Sequence, residues 1–428
     1  YSGTYVAYLF ADNSSEDADD QMIKCGSVTT GNVSTDVDVN LGWQPQWILM
    51  KKTNGSSQWF VADTMRGWIN PTGVYNQARF LTANTTNQEN NGNFVKPTAT
   101  GFTVVSDNLG SAQDWIYMAI RAPMMKKPEA ATDVFALTAG NTSGTLISAG
   151  FPPDFMITKG HLSSAQPISS ARLTSSDGKA YMATDSTAAE AVAGSKLFEF
   201  DLGNNFRESW GNDPSSTYMW KRAKGYMDVV AYTGDGIAGR AVPHSLGVAP
   251  EMMWVKSRTA GNQAWRVYHA SSGATHGLNL NGDNAAFALT RLWNDTAPTN
   301  SSFIVGNHGS TNDSGGQYIA YLFATLAGIS KCGSYVGNGS SQTISCGFSA
   351  GSRFILIKEY SYSGNWYIWD ATRGIVAGND PHLSLNNNAG QITNNDSVDP
   401  HNSGFIVNQN STSNINVSSS TYIFYAIA

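Results

Sequence analysis

Charge is scarce in this chain. Of its 428 residues only 14% are Asp, Glu, Lys or Arg, against the ~25% usual for a soluble globular protein, and Gly, Ser, Thr and Asn fill the gap. The 26 Lys and Arg are outnumbered by 32 Asp and Glu, a net charge of −6. A nucleic-acid binder needs a basic face to displace counterions from phosphates, so no nucleic acid is expected among the partners. Cysteine is nearly absent. Cys25, Cys332 and Cys346 are too few for a disulfide scaffold and too sparse for a zinc site. They read as small apolar strand residues, with a Cys332 to Cys346 disulfide left open. Long apolar runs are missing as well: Trp115 to Ile120 is cut by Arg121, far short of the ~18 residues a membrane-spanning helix needs. The expectation is a soluble protein without membrane insertion. Residue 1 is Tyr and nothing reads as a signal peptide, as in a processed product or a portion of something longer.

Catalytic signatures are also lacking. The 7 His form no HExxH or HxH arrangement. No GxSxG, phosphate loop or dinucleotide fingerprint occurs. The paired carboxylates of a glycan hydrolase find no counterpart nearer than Glu199-Phe200-Asp201. The expectation is a protein that is not an enzyme and has no cofactor.

What is present is repetition. Tyr5 to Ala11 (YVAYLFA) returns as Trp115 to Ala122 (WIYMAIRA), Tyr318 to Ala324 (YIAYLFA) and Tyr422 to Ala428 (YIFYAIA), with Tyr218 to Gly225 as a worn copy. A glycine and an apolar residue precede a strand that ends in lysine at Gly42 to Lys51, Gly150 to Lys159, Gly247 to Lys256 and Gly347 to Lys358. Those glycines are 108, 97 and 100 positions apart, a period of about 100. Four bodies and five closing strands divide the chain at 1–11 (closing strand of an upstream repeat), 12–124, 125–225 (divergent), 226–326 and 327–428.

Within a repeat the apolar stretches are short, β-branched or aromatic, and separated by Gly, Asn, Ser and Asp, which is the pattern of strands joined by turns. The fourth repeat reads as strands near 331–335, 342–346, 353–358, 366–370, 382–385, 405–407 and 422–428. Seven strands in about 100 residues predict an all-β fold of tandem antiparallel sandwiches; propeller blades are usually shorter. Ser186 to Ala193 reads as a short helical turn.

The candidate binding constellation is Lys51, Trp59, Asp63 and Arg66, which recurs as Lys358, Trp366, Asp370 and Arg373. The favoured reading is architectural: Lys and Asp of matching parity near one another across a hairpin, and an Asp–Arg turn at the strand end. The alternative is a glycan site, with Trp stacking on a sugar face while Asp and Arg bond its hydroxyls. Asp12, Asp17, Asp19 and Asp20 supply enough oxygens for Ca²⁺, but they lack the glycine and spacing of an EF-hand loop, and a solvated acidic hairpin is the favoured reading.

The markers GWQPQWILMKK (Gly42 to Lys52), the Trp, Asp, Arg-Gly pattern at Trp59 to Gly67 and Trp366 to Gly374, and the closing YIAYLFA together resemble a repeat domain of uncharacterised function in tail fibres and other virion proteins of marine bacteriophages, particularly cyanophages. The resemblance implies jelly-roll or concanavalin-like sandwich modules on a virion surface, in adsorption or particle decoration. The resulting expectation is a non-enzymatic tail fibre or capsid-associated fibre, a homo-oligomer whose partners are other virion subunits and a host-surface glycan. The alternatives are a subunit of a bacterial or archaeal extracellular filament or adhesin, and a polysaccharide-binding or polysaccharide-degrading module.

Overall fold

The computed structural model describes residues 7–12, 21–32, 35–71, 77–122, 127–141, 144, 146–162, 164–175, 178–200, 202, 205–209 and 214–428. Strand makes up 42% and helix 5%, so the all-β, antiparallel, sandwich-type expectation holds, with no closed barrel. The strands form four successive sets, here called modules.

Module one contains β1 (Ile23–Thr29), β2 (Val37–Asn40), β3 (Pro45–Lys52), β4 (Trp59–Asp63), β5 (Arg79–Thr82), β6 (Asn90–Asn91), β7 (Val95–Thr98), β8 (Gly101–Val104) and β9 (Asp114–Arg121). They make a large sheet, β1-β9-β3-β4-β5-β6, and a small one, β2-β8-β7. Module two contains β10 (Phe135–Asn141), β11 (Leu146–Ser148), β12 (Phe155–Gly160), β13 (Ile168–Ala171), β14 (Ala180–Ala183), β15 (Ala191–Val192), β16 (Phe198–Glu199), β17 (Asn205–Glu208) and β18 (Ser215–Trp220), ordered β10-β18-β12-β13-β14-β15 and β11-β17-β16. Module three contains β19 (Met227–Thr233), β20 (Arg240–Pro243), β21 (Met252–Ser257), β22 (Arg266–His269), β23 (His276–Asn279), β24 (Phe287–Ala288), β25 (Ser302–Val305) and β26 (Gln317–Phe323), ordered β19-β26-β21-β22-β23-β24 and β20-β25. Module four contains β27 (Ser330–Val336), β28 (Ser341–Ser345), β29 (Phe354–Glu359), β30 (Trp366–Asp370), β31 (His382–Ser384), β32 (Val398–His401), β33 (Gly404–Asn408) and β34 (Thr421–Ile427), ordered β27-β34-β29-β30-β31 and β28-β33-β32. The closing strand always lies between the first and the third.

The chain divides into two compact units: module one, and the unit that holds modules two, three and four. Period-2 alternation explains how the second unit has cores of two kinds. On β29, Ile355 and Ile357 face the small sheet of module four, where they meet Val398, Phe405 and Val407. Phe354 and Leu356 face the other way, into a cluster shared with Phe155 and Trp220 of module two and Trp254 and Tyr321 of module three. In module one, Ile48 and Met50 of β3 lie in the sandwich core with Val95, Phe102 and Val104.

The repeat-marking glycines have a backbone reason. Gly42, Gly150, Gly247 and Gly347 have φ of 81°, 79°, 79° and 74°, and three of the four have open space where a Cβ would stand. Left-handed backbone, not crowding, requires them. Gly347→Ala is expected to cost about 1–2 kcal/mol in urea denaturation and Gly347→Asn less, because Asn tolerates that conformation.

Several expectations change. The fourth repeat has one strand more than the sequence indicates, β32. Ser186 to Ala193 is not helical; it leads into β15 and carries Glu190 to an ion pair with Arg258. All three cysteines are free: Cys332 packs in the core shared by the modules and Cys346 in the sandwich of module four, on opposite faces of the large sheet. Within the Tyr5 to Ala11 segment, described residues 7–11 form no strand, and Tyr8, Leu9 and Phe10 are exposed.

Candidate functional site

The register decides what the candidate constellation can do. Lys51 pairs with Trp59 and Asp63 with Trp47; likewise Lys358 pairs with Trp366 and Asp370 with Phe354. The Lys and Asp of each set therefore stand at opposite ends of the strand pair, and the ion pair that parity allows does not form. The Asp–Arg turn does form. Arg66 donates its backbone N–H and its Nε to the Asp63 carboxylate at 2.8 and 2.7 Å, and Arg373 does the same to Asp370 at 2.9 and 2.6 Å.

The two copies differ in burial. Asp370, Lys358 and Trp366 are at most 1% exposed, so none of them presents a face to a sugar. The Asp370 carboxylate also accepts from the Tyr218 hydroxyl of module two at 2.8 Å. Burial opposes the Arg373 charge, but Tyr218 and Asp370 outweigh it and hold the guanidinium above its ordinary value. In module one, Trp59 is 37% exposed and the Arg66 side chain 48%.

The lysines at the strand ends reach across from module to module around the shared apolar cluster. Lys159 Nζ donates to Ala165 O (2.6 Å) and to Asn387 O of module four (3.1 Å). Lys256 Nζ donates to Gln263 O (2.6 Å) and to Thr187 O of module two (3.0 Å). Lys358 Nζ donates to Glu359 O and to Asp283 O of module three (3.0 Å). A backbone bond returns across each seam: Gln391 N to His161 O (2.8 Å), Glu190 N to Arg258 O (2.9 Å) and Ala286 N to Tyr360 O (2.8 Å). His161, Arg258 and Tyr360 each stand two residues beyond the lysine. Tryptophan indoles add Trp265 Nε1 to Ala183 O (2.9 Å) and Trp366 Nε1 to Asn279 O (2.8 Å). Module two thus reaches module four, four reaches three, and three reaches two. This is a closed cyclic arrangement of three modules, reinforced by ring contacts between Phe155 and Tyr321, Tyr218 and Phe354, and Phe323 and Tyr425.

Sequence reasoning marked Lys159 and Lys256 only as a repeat signature, placed Lys51 and Lys358 in a binding constellation or an ion pair with Asp, and assigned no role to the side chains of Tyr218, Glu190 and Arg258. The signal that would have found the seam is the constant offset between the strand-end lysine and the residue whose carbonyl accepts the returning bond.

Burial pulls Lys159, Lys256 and Lys358 down to about 8. A neutral amine still has two hydrogens for two carbonyls, so losing the proton leaves each seam intact. Between pH 8 and 10.5 the unfolded chain holds lysine protons that the folded chain has released, so stability rises with pH through that window. The buried phenols of Tyr218, Tyr226 and Tyr321 are pushed far up by burial, so stability falls again once unfolded tyrosines ionise above about 10. The buried thiols of Cys332 and Cys346, also pushed up by burial, oppose the rise once unfolded cysteines ionise near 9, so calorimetry is expected to show the transition of the three-module unit rising from about pH 8 to about 9, and Lys256→Met to remove roughly a third of the lysine contribution.

At the seam of modules three and four lies a polar cleft of about 230 Å³, walled by Asp283, Glu359, Asn365, Tyr367 and Tyr422. Sites that enclose drug-sized ligands measure ~300–1,000 Å³, so this one has room for a small polar group only. Of the acidic residues proposed for Ca²⁺, Asp17, Asp19 and Asp20 lie outside the described residues, and Asp12 is exposed. Among the described residues no group of three or more His, Cys, Asp or Glu is placed to hold a metal ion. No helix among them is long and apolar enough to cross a membrane.

No curated protein matches the chain. One family model matches residues 2–123 and 215–428, more than half of the chain. The unmatched stretch is the body of module two, where the register puts Ala171 at the place of Asp63 and Asp370. By this match the chain belongs to the family described as a domain of unknown function, DUF7483.

Proposed function

We propose that the chain is a non-enzymatic structural protein of an extracellular particle, a virion tail fibre or capsid-associated fibre that meets a host surface through weak polar contacts. One observation carries this reading: the residues that recur most distinctively, Lys358, Trp366, Asp370 and Arg373, are spent in module four on holding module to module and not on lining a cavity. A chain that commits its most specific side chains to a rigid ring of sandwiches is made for construction. Its surface supplies the rest, since low charge and abundant Asn, Ser and Thr favour many shallow contacts, and display in multiple copies turns weak contacts into avidity. The cleft at Asp283 and Glu359 is the natural place for a host glycan's polar group.

Antibody labelling of particles tests the location. Label on capsids or tails supports the virion reading, and label confined to cell-bound fibres replaces it with an extracellular filament or adhesin subunit. Retention of purified chain on host envelope polysaccharide tests adhesion, and turnover of that polysaccharide overturns the non-enzymatic reading.

A further inference from the structure

We propose that module one binds two further copies of itself, from two other chains, in the ring geometry that modules two, three and four adopt within one chain. The inference is independent of the virion reading and rests on the seams alone.

Each seam is heterologous: the lysine edge of one module, which also carries a tryptophan in modules three and four, meets the loop after the fifth strand of the next. Such an interface gives a ring when its rotation closes, and here it closes after three modules. Module one has kept both halves. On the edge, Lys51 and Trp59 stand in the same register as Lys358 and Trp366. In the loop, Trp59 N donates to Asn84 Oδ1 at 3.0 Å, as Trp265 N does to Asn281 and Trp366 N to Asn386, both at 2.9 Å. Ala83 N donates to Trp59 O at 2.9 Å, matching Leu280 N to Trp265 O and Leu385 N to Trp366 O. Six residues after Ala83 comes Glu89, as Glu190 comes six after Thr184. Glu190 is the residue whose N–H crosses to Arg258 O, and the counterpart of Arg258, two residues beyond Lys51, is Thr53.

The corresponding face of module one is less buried. Phe354, Leu356, Ile368, Tyr425 and Ile427 in module four are at most 1% exposed. Their register counterparts Trp47, Leu49, Val61, Met118 and Ile120 are only half-buried, and Ile116 on the same face is 43% exposed. Trp47-Ile48-Leu49-Met50 is an unbroken apolar run, the pattern of a strand covered on both faces, yet only Ile48 and Met50 are in a core. Lys51 Nζ donates to Ser57 O at 2.8 Å, the counterpart of the bonds Lys159 makes to Ala165 O and Lys256 to Gln263 O inside their own modules, and the second carbonyl is missing among the described residues. A second and a third copy supply both the carbonyl, from Thr86 in the loop, and the apolar cover.

The mass of the full chain in solution, by sedimentation equilibrium and mass photometry, is expected to be three times 45.9 kDa. Leu49→Glu is expected to weaken association by about 100-fold while the thermal transition of the three-module unit stays in place. A second variant leaves the apolar face intact: Thr53→Cys with Glu89→Cys, on a Cys25→Ser background, is expected to form a disulfide-linked species of three chains, while either cysteine alone forms none. A monomer or dimer at concentrations on the order of 100 µM overturns the proposal. So does a trimer that the cysteine pair fails to link, since its chains would be joined elsewhere.

Discussion

Asp370→Ala is expected to remove about 3–5 kcal/mol from the stability of the three-module unit, because it leaves the Arg373 guanidinium buried without its countercharge. The Arg373 side chain is 3% exposed, so water cannot take over the lost role, and the Tyr218 hydroxyl loses an acceptor in the same step. Asp63→Ala breaks the same turn in module one. There the Arg66 side chain is 48% exposed and the loss stays below about 1 kcal/mol. Calorimetry on the full chain reads both, since each variant shifts the transition of its own unit. Equal shifts would mean that the seam between modules two and four adds nothing to this turn.

The second large effect is at the seam of modules three and two. Arg258 Nε and NH2 donate to the two oxygens of Glu190 at 2.9 and 3.0 Å, and both side chains are at most 2% exposed. Arg258→Ala or Glu190→Ala strands one charge in the interior and is expected to cost about 3–5 kcal/mol. Arg258→Met combined with Glu190→Leu removes both charges and keeps the volume, so most of that loss is expected to return. A double-mutant cycle in urea measures the coupling. A double variant as weak as the singles combined would show that packing, not the stranded charge, sets the penalty.

Local rules made much of this molecule readable in advance. Short β-branched and aromatic runs between Gly and Asn turns give strands whatever surrounds them, and the seven strands anticipated in the fourth repeat all occur. The Asp–Arg turn is equally local, since three residues close it at Asp63 and again at Asp370. Ser186 to Ala193 misled because its alanines favour a helix by propensity, whereas the loop is held extended by the bond from Glu190 N to Arg258 O, 68 residues further along the chain. The supposed Lys–Asp pair failed on register, which parity does not specify.

What the amino-acid order determined by itself is the repeating β-blueprint, its left-handed glycines and its strand-end turns, since each depends on neighbours a few residues away. Which aromatic residues are buried was settled elsewhere. Trp59 and Trp366 occupy the same register position beside the same kind of lysine and asparagine, yet one is 37% exposed and the other 1%. Their own strands are alike. Trp366 is covered by the Asn279 carbonyl and the apolar cluster of the neighbouring module, and that cover is a property of the assembled ring, not of the segment.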